Sequence, residues 1–181
     1  MSKPNRQLKE LKSDNSSNQL SCLLLSLGSN VGDRKANILK AVELLSASGL
    51  MEDIEMSSFY ESEPFGFTEQ PWFLNIALTG FTNHSIFEFM KLIKSIEYLI
   101  GRKMRDKWHE REIDIDIIFY NDSFYSFKYL KIPHPLMQTR RFVLVPSAEI
   151  AGNYIHPLLK KTIKELLSEC EDKSIVRIVE N

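Results

Sequence analysis

Asp114 and Asp116 stand two residues apart in the run Glu-Ile-Asp-Ile-Asp-Ile-Ile. If that run is a strand, its period of two puts both carboxylates on one face, roughly 7 Å apart, and turns Ile113, Ile115 and Ile117 to the other. Two carboxylates so placed repel unless a cation joins them. Magnesium fits, because it prefers oxygen ligands, takes one or two protein carboxylates, and completes its shell with waters and phosphate oxygens. The plain alternative is a solvated strand face whose acids discourage edge pairing. The residues just upstream weigh against it: Arg102, Lys103, Arg105, Lys107 and Arg111 put phosphate-binding cations beside cation-binding acids. That composition suits a nucleotide triphosphate with its metal, whereas a charged helix exit paired with acids would be worth little.

Other residues extend this chemistry. Phe65, Phe67, Trp72 and Phe73 surround the turn-rich segment ESEPFGFTEQP and offer stacking surfaces for a planar ring, with Asn75 placed to read its edge; a core beneath a long loop is the competing reading. Trp108, between Lys107 and His109, is placed to cover a nucleotide. The four histidines show no HExxH or other tight zinc spacing. His134, held between Pro133 and Pro135 and six residues before Arg140, is set to aim an imidazole at phosphate. The turn GSNVGD lacks the spacing of either glycine-rich phosphate loop and is weak by itself.

The elements that must position these groups follow from periodicity. Cys22–Leu27 reads as a central strand, broken at Gly28 and Gly32. A helix follows on Ile38, Leu39, Val42 and Leu45 and stops at Gly49. Residues 51–60 read as extended and WFLNIALTG as another strand. Asn83 is expected to cap a helix running to Ile100 with Ile86, Phe89, Met90, Ile93, Ile96 and Ile100 on one face, ended by Gly101. IDIDIIFYND supplies the next strand, Leu158–Leu167 a third helical pattern and SIVRIV a last strand. Strand, helix, strand, strand, helix, strand is the order of an α+β fold, a ferredoxin-like split βαβ antiparallel sheet with helices on one face, plus C-terminal additions.

Composition narrows the field. The chain has 181 residues, 43% of them hydrophobic, enough for one ordinary core. Residues 1–20 hold little to bury and are expected to form a flexible extension to a single domain over 21–181. With 23 Lys plus Arg against 24 Asp plus Glu, nucleic acid gains no support from net charge, although a local basic groove is compatible with it. Cys22 and Cys170 lie far apart, so neither a disulfide framework nor a cysteine zinc site is indicated. No apolar run reaches membrane-spanning length and residues 1–20 lack a signal-peptide core, so a cytoplasmic monomer with no membrane partner is expected.

The ordered pieces LSLGSNVGD, SSFYESEPFG, WFLNIAL, IEYLIGR, KWHEREIDIDII and IPHPLMQTRRFVLVP resemble the 6-hydroxymethyl-7,8-dihydropterin pyrophosphokinase family over about Cys22 to Ile150. The resemblance implies transfer of the β,γ-diphosphoryl group of ATP, the co-substrate, to the hydroxymethyl oxygen of the pterin, giving AMP, in folate biosynthesis. It implies that Asp114 and Asp116 hold two Mg2+. It places Ser62, Pro64, Phe65, Phe73, Asn75 and Phe142 at the pterin, Phe73 and Phe142 as stacking rings. Glu97, Arg102, Trp108, Arg111, Ile117, His134 and Arg140 fall at the nucleotide, with Arg102 and Arg111 also catalytic beside the aspartates. Gly28 and Asn30 match the first turn. The segments 102–111 and 61–71 are expected to move when ATP binds.

The sequence departs from the family pattern in places. Phe73 stands where tyrosine is common, Glu63 where proline is, Arg102-Lys103-Met104-Arg105 where Arg-x-Arg is, and His109-Glu110 where Gly-Pro is. Two rival readings are another magnesium-dependent nucleotide enzyme on a similar fold and an RNA-binding ferredoxin-like module using its sheet aromatics and basic loop. The paired aspartates favour metal chemistry over the latter.

Overall fold

The structure, a computed structural model, describes residues 20–65, 69–103 and 110–180. In chain order it holds β1 (Ser21–Ser29), α1 (Arg34–Ala47), β2 (Glu52–Met56), β3 (Tyr60–Ser62), β4 (Phe73–Thr82), α2 (Ile86–Leu99) and β5 (Asp114–Tyr120). There follow a hairpin of β6 (Tyr125–Phe127) and β7 (Leu130–Ile132), a 3-10 turn at Met137–Thr139, α3 (Arg141–Ala151), α4 (Ile163–Glu169) and β8 (Val176–Ile178).

The main sheet runs β5-β1-β4-β3-β8, with β2 also on β4, and all its pairings are antiparallel. Counting β2 and β3 as two halves of one position, the βαββαβ strands take the order fourth, first, third, second, which is the ferredoxin-like split βαβ arrangement. Residues 51–60, expected as one extended stretch, thus divide into two short strands that share β4.

Strand alternation gives the sheet two faces. Leu23, Leu25 and Leu27 of β1, Leu74, Ile76 and Leu78 of β4, and Ile115 and Ile117 of β5, with Ile113 just before it, form one face. They are buried against Ile38, Ala41 and Leu45 of α1 and Ile86, Phe89, Ile93 and Ile96 of α2. Burial of that many branched side chains, each worth about 1.5–3 kcal/mol, is the main force holding the helices down. The C-terminal additions, whose placement the pattern left open, take the other face: α3 and α4 cover part of it with Val143, Leu144, Ile163 and Leu166 against Leu24, Ala77, Ile118 and Phe119. An extra residue in β5 between the partners of Leu24 and Leu25 allows Ile118 and Phe119 both to serve that second core.

Helix boundaries show where local chemistry overrode pattern. α2 is capped by Ser85, not Asn83: the Ser85 hydroxyl accepts from the Glu88 N–H and the Glu88 carboxylate accepts from the Ser85 N–H. A reciprocal cap of this kind satisfies two end donors and outcompetes a lone asparagine two residues earlier. Gly101, at φ +94°, ends the helix as expected. Leu39 is exposed, and Ala41 takes the inward position in α1. The final helix starts later than its pattern, at Ile163 behind the Thr162–Glu165 capping box, leaving Leu158 and Leu159 exposed. α3 has no counterpart among the helices expected from periodicity. Its interior Pro146, which removes one backbone donor, is buried with Val143 and Leu144 against the sheet.

Candidate active site

α3 and α4 cover only part of the second face. Beyond Leu24 and Ala77 the same strand positions become Ser26 and Gly28 on β1, Asn75 and Phe73 on β4, and Asp116 and Asp114 on β5, and here the face opens into a cleft of about 430 Å³. Register aligns these groups in rows. Gly28 pairs with Asp114 on one side and Asn75 on the other, while Ser26 pairs with Asp116 and Ala77. Gly28 leaves room for its neighbours: a Cβ there would lie 3.0 Å from Asn75 Oδ1 and 3.7 Å from a Phe73 ring carbon, so the carboxamide would have to give way.

At the carboxylate end, an Arg102 guanidinium nitrogen is 2.9 Å from Asp114 Oδ1 and Arg111 Nε is 3.6 Å from Oδ2. Glu97, 3% exposed on α2, works from beneath: it accepts from Arg102, from Lys94 Nζ at 2.7 Å and from the Ile115 N–H at 3.1 Å. One buried carboxylate thereby aligns two cations of the cleft and the backbone of the strand carrying the aspartates. Burial, followed by the negative charge of Asp114, pushes the Asp116 carboxyl up to about 7. A carboxyl raised in this way beside a second carboxylate marks a place where positive charge is wanted.

His134 and Arg140 close the opposite wall. Burial, then the charge of Arg140, lowers His134 to about 4, so the ring is neutral at physiological pH. Its Nδ1 accepts from the Leu136 N–H at 3.3 Å, leaving Nε2 as the ring's donor. The Arg140 guanidinium lies 5.9 Å from the Phe65 ring centre and 5.7 Å from that of Phe142, whose rings are 6.3 Å apart.

At the other end, the Asn75 side chain is buried and its Nδ2 donates to Ser62 Oγ at 2.9 Å. This fixes the carboxamide orientation and leaves Oδ1 beside Gly28. Asn30, 2% exposed, joins the two ends. Its Nδ2 donates to Gln70 Oε1 at 3.1 Å and the Pro71 carbonyl at 3.2 Å, its Oδ1 accepts from the Arg111 N–H at 2.7 Å, and its own N–H donates to the Arg111 carbonyl at 3.0 Å.

Of the residues expected at a site, Ser62, Phe65, Phe73, Asn75, Arg102, Arg111, Asp114, Asp116, His134, Arg140 and Phe142 line this one cleft. Glu97 lies below it rather than along it. Pro64 is buried outside the lining, and the Ile117 side chain belongs to the core under α1 and α2 and does not line the cleft. Trp108, Arg105, Lys107, His109, Met104 and Phe67 lie outside the described residues, as do residues 1–19. Sequence reasoning passed over Ser26, Lys94, Gln70 and Leu136, which also line the cleft. The three-residue spacing of Lys94 and Glu97 on a helix was the one available signal among them. Among the described residues no group of three or more His, Cys, Asp or Glu could hold a metal. Two carboxylates amid arginines therefore suit an ion that brings phosphate oxygens with it.

Comparison with known proteins agrees with this architecture. Solved chains of Plasmodium falciparum HPPK-DHPS share the fold; the wild type with pteroate superposes with a TM-score of 0.65 at 18% identity, covering 86% of this chain and 43% of that one. This chain thus spans less than half of those longer proteins, and the likeness is one of fold. A protein of Aquifex aeolicus named 2-amino-4-hydroxy-6-hydroxymethyldihydropteridine pyrophosphokinase is 44% identical over 150 residues, 83% of this chain and 92% of the relative. One of the same name from Bacillus subtilis is 36% identical over 154 residues, 85% and 87% respectively. The sequence model of one family, 7,8-dihydro-6-hydroxymethylpterin-pyrophosphokinase (HPPK), matches residues 24–152, more than half of the chain. With its split βαβ sheet, its paired aspartates and these relatives, the chain belongs to the 7,8-dihydro-6-hydroxymethylpterin-pyrophosphokinase family.

Proposed function

We propose a residue-level account of the family's reaction in this chain, the transfer of the pyrophosphoryl group of ATP to 6-hydroxymethyl-7,8-dihydropterin in folate biosynthesis. The observation that carries it is one open half of one sheet face, with a ring-reading amide at one end and a carboxylate pair among arginines at the other. The pterin lies at the Asn75 end, its edge read by the carboxamide that Ser62 holds, its ring against Phe73 and Phe142, with Phe65 and the backbone near Pro64 at the margin. The triphosphate lies toward Arg102, Arg111, Arg140 and the Nε2–H of His134, with Lys94 adding charge from α2.

Asp114 and Asp116 are the residues that would hold Mg2+, and the donor set supports this. Two adjacent carboxylates, one pushed up to about 7 by burial and by its neighbour, fit ions that complete their shells with phosphate oxygens and water. Two ions are proposed, which Asp114 and Asp116 would hold. When bound, Mg2+ would neutralise charge on the phosphate oxygens. Everything else is positioning. The hydroxymethyl oxygen forms a bond to the β phosphorus, the bond from that phosphorus to the α–β bridging oxygen breaks, AMP leaves with that oxygen, and the hydroxyl proton is lost to solvent. Aligning the two substrates and placing fixed cations around the phosphates supplies the acceleration. Glu97 acts by holding Lys94 and Arg102. Trp108 remains part of the proposal as a cover for the nucleotide, on the resemblance alone. A cytoplasmic setting is also proposed, supported by the two free cysteines; no helix among the described residues is long and apolar enough to cross a membrane.

The test is to incubate the protein with ATP, Mg2+ and 6-hydroxymethyl-7,8-dihydropterin and quantify AMP and the pterin diphosphate. Equal yields of both are expected. Pterin binding with neither product would overturn the account.

A further inference from the structure

The C-terminal strand β8 lies beyond residues 24–152, the stretch matched to the family, yet it closes on the segment that holds the ring-reading amide. β3 is three residues long and pairs on one side with β4, Ser62 opposite Phe73, and on the other with β8, Ser62 opposite Val176. The contacts on either side of Ser62 are tighter than a short strand pair alone supplies. Before it, Glu61 accepts from Arg177 at 2.7 Å and is paired with Arg34 at 3.0 Å, and the Arg177 guanidinium lies 5.0 Å over the Trp72 ring. After it, the Ile175 N–H donates to the Glu63 carboxylate at 2.8 Å while the Glu63 N–H donates to the Ile175 carbonyl at 3.2 Å. Further back, Asp172 accepts from the N–H groups of Arg141 and Ser174, which anchors the tail to the start of α3.

We infer that β8 is a strap that positions the pterin-recognition groups: through Arg177 on Glu61 and Ile175 on Glu63 it fixes Ser62, which in turn orients the Asn75 carboxamide. Ser62 points into the cleft and Glu61 to the opposite face, so the strap holds the strand from behind while Glu63 secures it at the cleft rim. Glu63 contributes both its carboxylate and its backbone N–H to this closure. A proline at that position would supply neither. Arg177 and Ile175 are positioning residues: each acts on pterin binding only through Ser62 and Asn75.

The inference rests on the pterin lying at Asn75, and its test separates the two. Steady-state kinetics would be run on the full chain carrying Arg177→Ala, Arg177→Lys, Glu63→Ala or, as the control on the site, Asn75→Ala. Arg177→Ala and Glu63→Ala are each expected to raise the KM for the pterin by about tenfold while kcat and the KM for ATP stay within about twofold, a loss in one substrate's binding alone. Arg177→Lys, which keeps the charge and loses the fork, should recover part of it. Arg177 is on the surface, so its variants leave the core intact. An unchanged pterin KM in both strap variants, with weakened pterin binding in Asn75→Ala, would overturn the strap and keep the site. Unchanged pterin binding in Asn75→Ala would overturn the site reading, and the strap with it.

Discussion

The two faces of the sheet are made by the same three long strands and have opposite fates. Under α1 and α2 the central inward positions of β1, β4 and β5 are apolar, Leu23, Leu25, Leu27, Leu74, Ile76, Leu78, Ile115 and Ile117, and are buried beneath the two helices. On the α3 side the same strands change character halfway along, from Leu24, Ala77 and Phe119 to Ser26, Gly28, Asn75, Asp114 and Asp116, and the covering helices stop where the polar residues begin. The closed face fixes strand register. Register then determines which polar side chains meet on the open one, since a one-residue slip would send Asp114 and Asp116 into the core. The main core and the proposed site thus lie on opposite sides of a single sheet.

The sharpest way to break this comparison is on the open face. Asp114→Ala or Asp116→Ala should lower turnover by about a thousandfold or more, a size typical of losing preorganised charge in a site. In the melting curve the Asp116 variant should be no less stable than the parent, because a half-buried carboxylate near another is a cost to the fold. Parallel assays of AMP formation and thermal melting check both; unchanged turnover would remove the pair from the centre of the chemistry. On the closed face the opposite split is expected. Phe89→Ala should cost about 3–5 kcal/mol in urea denaturation, with kcat of the folded enzyme within about twofold of the parent because no cleft residue is touched.

Smaller changes sharpen the boundary between the two. Gly28→Ala places a methyl 3.0 Å from Asn75 Oδ1, and is expected to raise the pterin KM by about tenfold. Its melting temperature should change little, which isothermal titration and melting would verify. The smallest effect concerns His134, at the edge of the cleft. Its folded value of about 4 lies below the usual imidazole value, so between those two pH values the unfolded chain binds a proton that the folded chain refuses. This contribution to stability is fully present above about pH 6.5 and is lost as pH falls toward 4. Asp116, raised to about 7, acts in the opposite sense over much of that range. The difference in melting between parent and His134→Gln therefore isolates the histidine: the variant should lose less stability than the parent from pH 7 to 5. An identical pH dependence in both would refute the assignment.

What was legible in the sequence was what strand and helix periods encode. The period of two in IDIDII placed Asp114 and Asp116 together and turned Ile113, Ile115 and Ile117 to the core, as found. The six-residue apolar stripe of α2 was equally plain. Features set by competition or by distance were not. Ser85 outcompetes Asn83 as a cap because Glu88 reciprocates. Pro146 disguises α3, whose stability comes from the sheet beneath it and not from local propensity. Gln70 and Leu136 reach the cleft only once their loops are docked, and no local pattern announces that. Glu63 read as a departure from the family pattern; its partner Ile175 is 112 residues away in sequence.

Asn30 links these regions in one further respect. Its side chain and its own N–H are committed on one side to Gln70 and Pro71 and on the other to the backbone of Arg111. It is almost wholly buried, so water cannot replace a bond that is lost. A shift of Arg111 toward a nucleotide must therefore either break these bonds at full cost or carry the segment bearing Gln70 and Pro71 with it. Asn30 thus ties the Arg111 backbone to the Gln70–Pro71 segment, and if the substrates lie as proposed, the symmetry of coupled equilibria returns to each ligand whatever the other gains from it.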